Sequence, residues 1–224
     1  MKRTDLMILI RGIDLMSKNF TEEDIPLLKQ KLRECCAKSW KTKGYKLTSV
    51  DSLTNEVGIS TEFFYRLYKT KEELFLEVLS MIQNQLKEQW HSMLQTNSGI
   101  EGFKKAMNWL FEEYVKHPTL YNFNNLDYYL FLKKLPKEKI ESLRENDINF
   151  FDEVLERSNL EVKISKEKAY GIFSTLLYTA AMKKDLVYNK YEIFNFLLDS
   201  SIFLIFENSS SLANKNPTND HCVN

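Results

Sequence analysis

The chain has 224 residues, 43% of them hydrophobic and 28% charged, which allows one large domain or a small domain joined to a larger one and excludes intrinsic disorder. Formal net charge is zero, so no overall field draws the protein to nucleic acid, and any DNA contact must come from a local patch. Three cysteines (two of them adjacent) make no disulfide framework and point to a reduced, cytoplasmic protein, while the three scattered histidines lack neighbours at metal-ligand spacing, so no metal or cofactor is expected.

Only six glycines and four prolines, with apolar residues recurring three and four apart, predict an all-α protein. Residues 1–20 read as an N-terminal extension. Its apolar run LMILI is too short for a signal-peptide core, and Met16 resembles a natural start, so 1–15 is expected to be an upstream addition. Thr21 offers an N-cap, followed by Glu22, Glu23 and Asp24, where the helix dipole favours carboxylates. Leu28, Leu32, Cys35, Cys36 and Trp40 form the apolar face of a helix ending near Lys43 and Gly44.

Thr48 with Asp51 three residues later resembles a capping box and opens a second helix through Val57. Gly58 supplies a left-handed turn, and Ser60 caps a third helix over Thr61 to Leu67. Thr70 and Glu73 make a further capping box, starting a fourth helix that runs through Leu74, Leu79, Ile82, Leu86 and Trp90 to about Leu94. The TNSG segment at 96–99 breaks the chain. Helices follow at 100–116, 119–134, 137–157, 166–183 and 190–207. The apolar run at 193–206 contains Asp199 and falls short of the ~20 residues a spanning helix needs, so no membrane is expected. Residues 208–224 are polar and are expected to be disordered.

Two short helices around a glycine are the elements of a helix-turn-helix, in which the second helix enters the DNA major groove. Val50, Leu53, Val57, Ile59, Phe64 and Tyr68 have the spacing of a shared core, which leaves Thr61, Glu62, Phe63, Tyr65 and Arg66 facing outward. The same pattern also occurs in plain structural helix pairs.

Gly44-Tyr45, Thr48-Ser49-Val50, Gly58-Ile59-Ser60, Phe64-Tyr65-Arg66, Tyr68 and Thr70-Lys71-Glu72-Glu73-Leu74 together resemble the N-terminal domain of the TetR family of transcriptional regulators. Trp40 stands where that family usually has Phe. The resemblance covers roughly 22–74. It implies a three-helix helix-turn-helix DNA-binding domain at 21–70, and at 71–207 a helical domain that binds a ligand and dimerises. It also implies a homodimer on double-stranded operator DNA. Thr48 or Ser49 would touch phosphate at the start of the second helix; Ser60, Thr61, Phe63 and Tyr65 would lie on the recognition face, and Lys71 would reach phosphate from the fourth helix. Phosphate contacts would supply most of the affinity.

Thr61, Glu62 and Phe63 depart from the family pattern, which often has Lys, then Gly or Ala, then Thr or Ser. Glu62 could accept from cytosine N4, with discrimination of ~1–3 kcal/mol for a good pair. Alternatively it is a first-turn carboxylate favoured by the dipole and paired with Arg66 at i+4. Phe63 could meet thymine methyls or pack on the neighbouring helix. Between 22 and 74, ten Lys or Arg face nine Asp or Glu, a net of +1. Lys41, Lys43, Lys46, Arg66, Lys69 and Lys71 flank the turns.

The later helices are rich in aromatics, which are core more often than ligand lining. Phe103, Trp109, Tyr114, Tyr128, Phe150, Phe173 and Tyr178 mark the candidate pocket, for a small hydrophobic or aromatic effector. Helices 166–183 and 190–207 are apolar on more than one face, and a second subunit is the simplest cover. No nucleophile has a base at motif spacing and no glycine-rich phosphate loop occurs, so no catalytic residue is named and no enzyme is expected. The expectation is a DNA-binding regulator, a repressor released by its ligand. The alternative is a helical interaction module that has lost sequence-specific binding.

Overall fold

Thr21 and Asp24 start the fold by closing on each other: the Thr21 N–H and hydroxyl both donate to Asp24 Oδ2, at 2.8 and 2.9 Å. In this computed structural model, which describes residues 20–121, 126–181 and 189–207, that contact leads through a 3-10 turn (Glu22–Asp24) into α1 (Ile25–Leu47). Residues 1–19 of the expected extension at 1–20, and the expected tail at 208–224, lie outside the described residues. Leu28, Leu32, Cys36 and Trp40 of α1 are buried as their spacing predicts, whereas Cys35 is only half-buried. Gly44 takes φ +81 and ψ 175, so the helix breaks there and resumes for one turn to Leu47.

Then come α2 (Val50–Val57), α3 (Thr61–Leu67) and α4 (Lys71–Thr96). Gly58 adopts φ +78 and ψ 38, the left-handed cap that a side chain would oppose. The expectation that Thr48 caps α2 is corrected. Ser49 is the cap, accepting from the Ser52 N–H at 3.1 Å, because Thr48 is turned inward and fully buried. Ser60 caps α3 by accepting from Phe63 at 3.1 Å. At the start of α4 the Thr70 hydroxyl accepts from Glu73, and the Glu73 carboxylate reaches back to the Lys69 N–H at 2.7 Å. Leu53, Ile59, Phe64 and Tyr68 form the expected buried core of α2 and α3, with Val50 and Val57 at its half-buried edge.

The remainder is α5 (Gly99–Lys116), α6 (Pro118–Tyr121), α7 (Leu126–Leu132), α8 (Lys137–Ser158), α9 (Lys166–Tyr178) with a 3-10 turn at Thr179–Ala181, and α10 (Lys190–Ile205). The single helix expected over 119–134 is therefore described as α6 and α7, with 122–125 outside the described residues. An isolated antiparallel bridge joins Val162 and Phe206. No helix among the described residues is long and apolar enough to cross a membrane.

Two compact units emerge, and they do not follow chain order. One joins the chain through Leu86 with His117–Ile140; the other joins Lys87–Lys116 with the chain from Glu141 onward. In the first, Trp40, Tyr45, Phe75 and Phe131 form a ring cluster, with Trp40 4.7 Å from Phe75 and 5.2 Å from Phe131. In the second, Phe103 meets Phe173 at 4.9 Å and Phe206 at 5.1 Å, and Phe111 stacks on Phe194 at 3.9 Å. Such pairs add ~0.5–1.5 kcal/mol each to the area they bury.

Candidate nucleic-acid interface

A helix of seven residues is too short to persist by propensity, so α3 is held by its ends and by its buried side. Ser60 holds its first turn, and Phe64 and Tyr68 anchor the inner side at 0% and 2% exposure. The Tyr68 hydroxyl donates to Glu77 of α4 at 2.9 Å, and Arg33 of α1 donates to the same carboxylate oxygen at 3.1 Å. Burial first, and then the Glu77 hydrogen bond, push the Tyr68 hydroxyl far above the ordinary tyrosine pKa, so it stays a donor. The outward side of α3 is thereby fixed from behind.

Ser60, Thr61, Glu62, Tyr65 and Arg66 are all exposed on that outward side, with Tyr65 at 52%. The Thr61 hydroxyl donates to Asp51 of α2 at 3.1 Å, tying the start of α3 to the preceding helix. Glu62 sits in the first turn, the position the dipole favours for a carboxylate. Phe63 is half-buried: its ring lies 5.1 Å from Phe20, and the Arg66 guanidinium sits 5.1 Å from the Phe63 centroid. Phe63 therefore packs on Phe20, just ahead of the Thr21 cap, and Arg66 lies over the Phe63 ring.

Ser49 is exposed at the start of α2. Thr48 is elsewhere: its hydroxyl donates to the Gly44 carbonyl at 2.8 Å and lies 3.0 Å from the Ser39 hydroxyl. Lys71 is half-buried, with Nζ donating to the Tyr45 carbonyl at 2.6 Å and lying 4.1 Å from the Tyr45 ring centroid. Burial lowers its pKa, against a smaller raising effect of Glu72. The exposed cations at the turns are Lys43, Lys46, Arg66 and Lys69. The Tyr45 hydroxyl donates to Glu72, and burial followed by that contact raises its pKa far above the ordinary tyrosine range. Sequence reasoning placed Tyr45 in the motif and missed that its backbone and ring hold α4 in place.

Of the candidate pocket residues, Phe103, Trp109, Tyr114, Phe150, Phe173 and Tyr178 share one unit, whereas Tyr128 belongs to the other, where it packs on Phe131 at 6.0 Å. Phe103 and Phe173 touch and are buried; Trp90 lies 5.9 Å from both Phe103 and Phe150. Trp109 and Tyr114 are half-buried, and Tyr178 is 39% exposed. Sequence reasoning missed a half-buried carboxyl, Asp147, that acts on Tyr178 and Tyr170. Burial raises Asp147 to about 6, with Lys87 acting against it. Burial followed by Asp147 raises Tyr170 to about 12 and also raises Tyr178. An aspartate in the middle of an amphipathic helix gives no sequence signal of its own burial. Among the described residues, no group of His, Cys, Asp and Glu could hold a metal ion.

Residues 37–78 match the family model for bacterial regulatory proteins, tetR family. Among curated proteins, none matches the chain in sequence. Solved structures of similar fold include the transcriptional regulator FadR of Bacillus subtilis in complex with stearoyl-CoA, at 13% identity over 77% of this chain and 97% of that one, with a TM-score of 0.56. A tetR-family transcriptional regulator from Streptomyces coelicolor aligns at 10% identity over 80% of each chain, with a TM-score of 0.62. Another from Pectobacterium atrosepticum aligns at 19% identity over 82% of this chain and 93% of that one, with a TM-score of 0.55. At these identities the likeness is one of fold.

Proposed function

We infer, from the tetR-family DNA-binding domain that α1 to α4 carry, that this chain is a transcriptional regulator that binds double-stranded operator DNA as a homodimer in the cytoplasm. The observation that carries the reading is the exposed side of α3: Ser60, Thr61, Glu62, Tyr65 and Arg66 face out from a helix braced on its other side by Phe64 and Tyr68. Ser49 with Lys43, Lys46 and Lys69 would meet the phosphates on either side.

The dimer reading rests on α10, which carries two apolar stripes. Phe194, Leu198, Ile202 and Ile205 are buried in its own unit. Ile193, Phe196, Leu197, Phe203 and Leu204 recur on the opposite side and are exposed, Phe196 at 73% and Phe203 at 69%. A helix apolar on two sides needs a second cover, and a two-fold copy of itself supplies one. We propose a small hydrophobic or aromatic effector beside Phe103, Phe150, Phe173 and Tyr178. By favouring one of two conformations, it would move the recognition helices off the ~34 Å spacing of successive grooves and release the operator. FadR of Bacillus subtilis, with its stearoyl-CoA, gives one example of a ligand held in this fold.

The test is retention of DNA from upstream of the protein's own coding region. The expected result is a shifted complex that dissociates steeply as salt rises. No retention at low salt with the dimer intact would overturn the reading in favour of an interaction module.

A further inference from the structure

Gly44 breaks α1 one turn before its end, and the break turns two backbone N–H groups toward the start of α7. Asp127 receives both: Oδ2 accepts from Tyr45 at 2.5 Å and Oδ1 accepts from Lys46 at 2.8 Å. Glycine is required here on two counts. Its φ of +81 excludes side chains, and a Cβ at this position would stand 2.5 Å from Asp127 Oδ2 and 3.2 Å from its Cγ. The carbonyls of the same turn are also held by side chains. Thr48 donates to that of Gly44 at 2.8 Å, and Lys71 of α4 donates to that of Tyr45 at 2.6 Å.

Apolar contacts reinforce the clamp. Phe131 lies one helical turn beyond Asp127 on the same side of α7, with its ring 5.4 Å from Tyr45 and 5.2 Å from Trp40. One step earlier in the chain, the Thr119 hydroxyl donates to the Lys41 carbonyl at 2.5 Å. Hence α6 and α7 grip the end of α1 at one carbonyl and two amides and through one buried ring. From that end the chain passes through Leu47 and Thr48 directly into Ser49, the cap of α2. The direction of the last turn of α1 sets the direction in which α2 and α3 leave it.

We propose that Asp127 is a positioning residue for DNA binding: its carboxylate fixes the last turn of α1, and through it the placement of α2 and the recognition helix α3. The chemistry suits a carboxylate, which offers two acceptors and no donor to a pair of N–H groups. An amide would satisfy one N–H and face the other with a donor. The same clamp gives α7 a direct mechanical hold on the reading head, so a displacement of α7 re-aims α3. The proposal rests on the DNA-binding reading above and adds a residue 82 positions from its hydrogen-bond partner.

The experiment compares the full chain with its Asp127→Asn and Asp127→Ala variants by amide hydrogen exchange, denaturation midpoint and retention of the upstream DNA. Local clamping predicts faster exchange at Tyr45, Lys46 and α2 with α8 unchanged. It also predicts operator affinity lower by about tenfold, within the usual range of coupling between sites. A merely structural role would lower the midpoint and the folded fraction while the affinity of the folded protein stayed the same, and that result overturns the proposal. If the unaltered protein retains no DNA, the regulator reading fails, and exchange alone then decides. A rise confined to the end of α1 and to α2 supports the clamp, and a uniform rise or none overturns it. If both variants fail to fold, scalar coupling across the hydrogen bonds from the Tyr45 and Lys46 nitrogens to the Asp127 carboxyl carbon, measured on the unaltered protein, decides instead. Its absence overturns the clamp.

Discussion

The reading head and the aromatic helices that follow it are stabilised at different ranges. In α2 and α3 each turn is set by a residue at that turn: Ser49 and Ser60 at the caps, Gly58 between them. In the second unit the helices are positioned by rings far apart in the chain, Phe103 on Phe173 and Phe206, and Phe111 on Phe194. Local caps are each worth about 1 kcal/mol, whereas a buried ring is worth several. The reading head can therefore vary its outer residues at little cost, whereas the buried rings of the second unit cannot be varied without a large loss.

Phe103→Ala should give the largest effect. The ring is fully buried against three others, and its loss should cost about 3–5 kcal/mol in urea unfolding. Tyr65→Ala, at an exposed position, should stay within about 0.5 kcal/mol of the unaltered protein while weakening operator retention. If the two variants lose similar stability, the difference between the regions is wrong. Next comes the outer stripe of α10. Phe196→Asp combined with Phe203→Asp should weaken self-association by at least about 2 kcal/mol, the scale of interface hot spots. Light scattering at micromolar concentration should then report a monomer with unchanged helix content, and a persisting dimer would place the interface elsewhere.

The same difference in range explains how much was legible in the sequence. Gly58, Ser60 and the Thr70–Glu73 pair act within four residues, so their meaning could be read directly, and the α2–α3 core followed from spacing. Thr48 was misread as a cap because Thr48 and Ser49 are both good caps. The choice between them was made by the buried Ser39 and Gly44 partners, which spacing does not reveal. Lys71 matches the motif, yet its inward turn depends on the break at Gly44, which exposes a carbonyl to it. Tyr128 looked like any other aromatic of the later helices, but α6 and α7 pack on α1 within the first unit. Such assignments depend on tertiary contacts and leave no periodicity to read.

Asp147 gives a smaller effect with a defined pH dependence. Its folded pKa is raised to about 6 from an ordinary value of 3.8, mainly by burial. Between those values the unfolded chain releases this proton and the folded chain keeps it, so stability falls as pH rises through that window and stays low above it. Asp147→Asn should therefore raise the denaturation midpoint at pH 7.5 by an amount worth about 1–2 kcal/mol, after discounting for partial solvent access. At low pH, where the carboxyl is protonated in both states, the variant should give no gain. An equal gain at both pH values would mean that burial of charge is not the cause.

A small stability effect and the sharpest functional one should coincide at Ser60. Removing the cap in Ser60→Ala should cost about 1 kcal/mol, yet the first turn of α3 carries Thr61, Glu62 and Phe63, the residues that depart from the family pattern. Fraying that turn costs little folding free energy because the helix is held mainly through Phe64 and Tyr68. It does disperse the reading side over many orientations, and each must be narrowed again on binding. Ser60→Asn keeps a capping oxygen and should restore both stability and operator retention if capping is the cause. If Ser60→Asn recovers the midpoint without recovering retention, the hydroxyl itself contacts DNA. Ser49→Ala, with a similar cap loss at α2, should change stability by the same amount and operator retention less, since α2 braces the recognition helix and does not present the reading side.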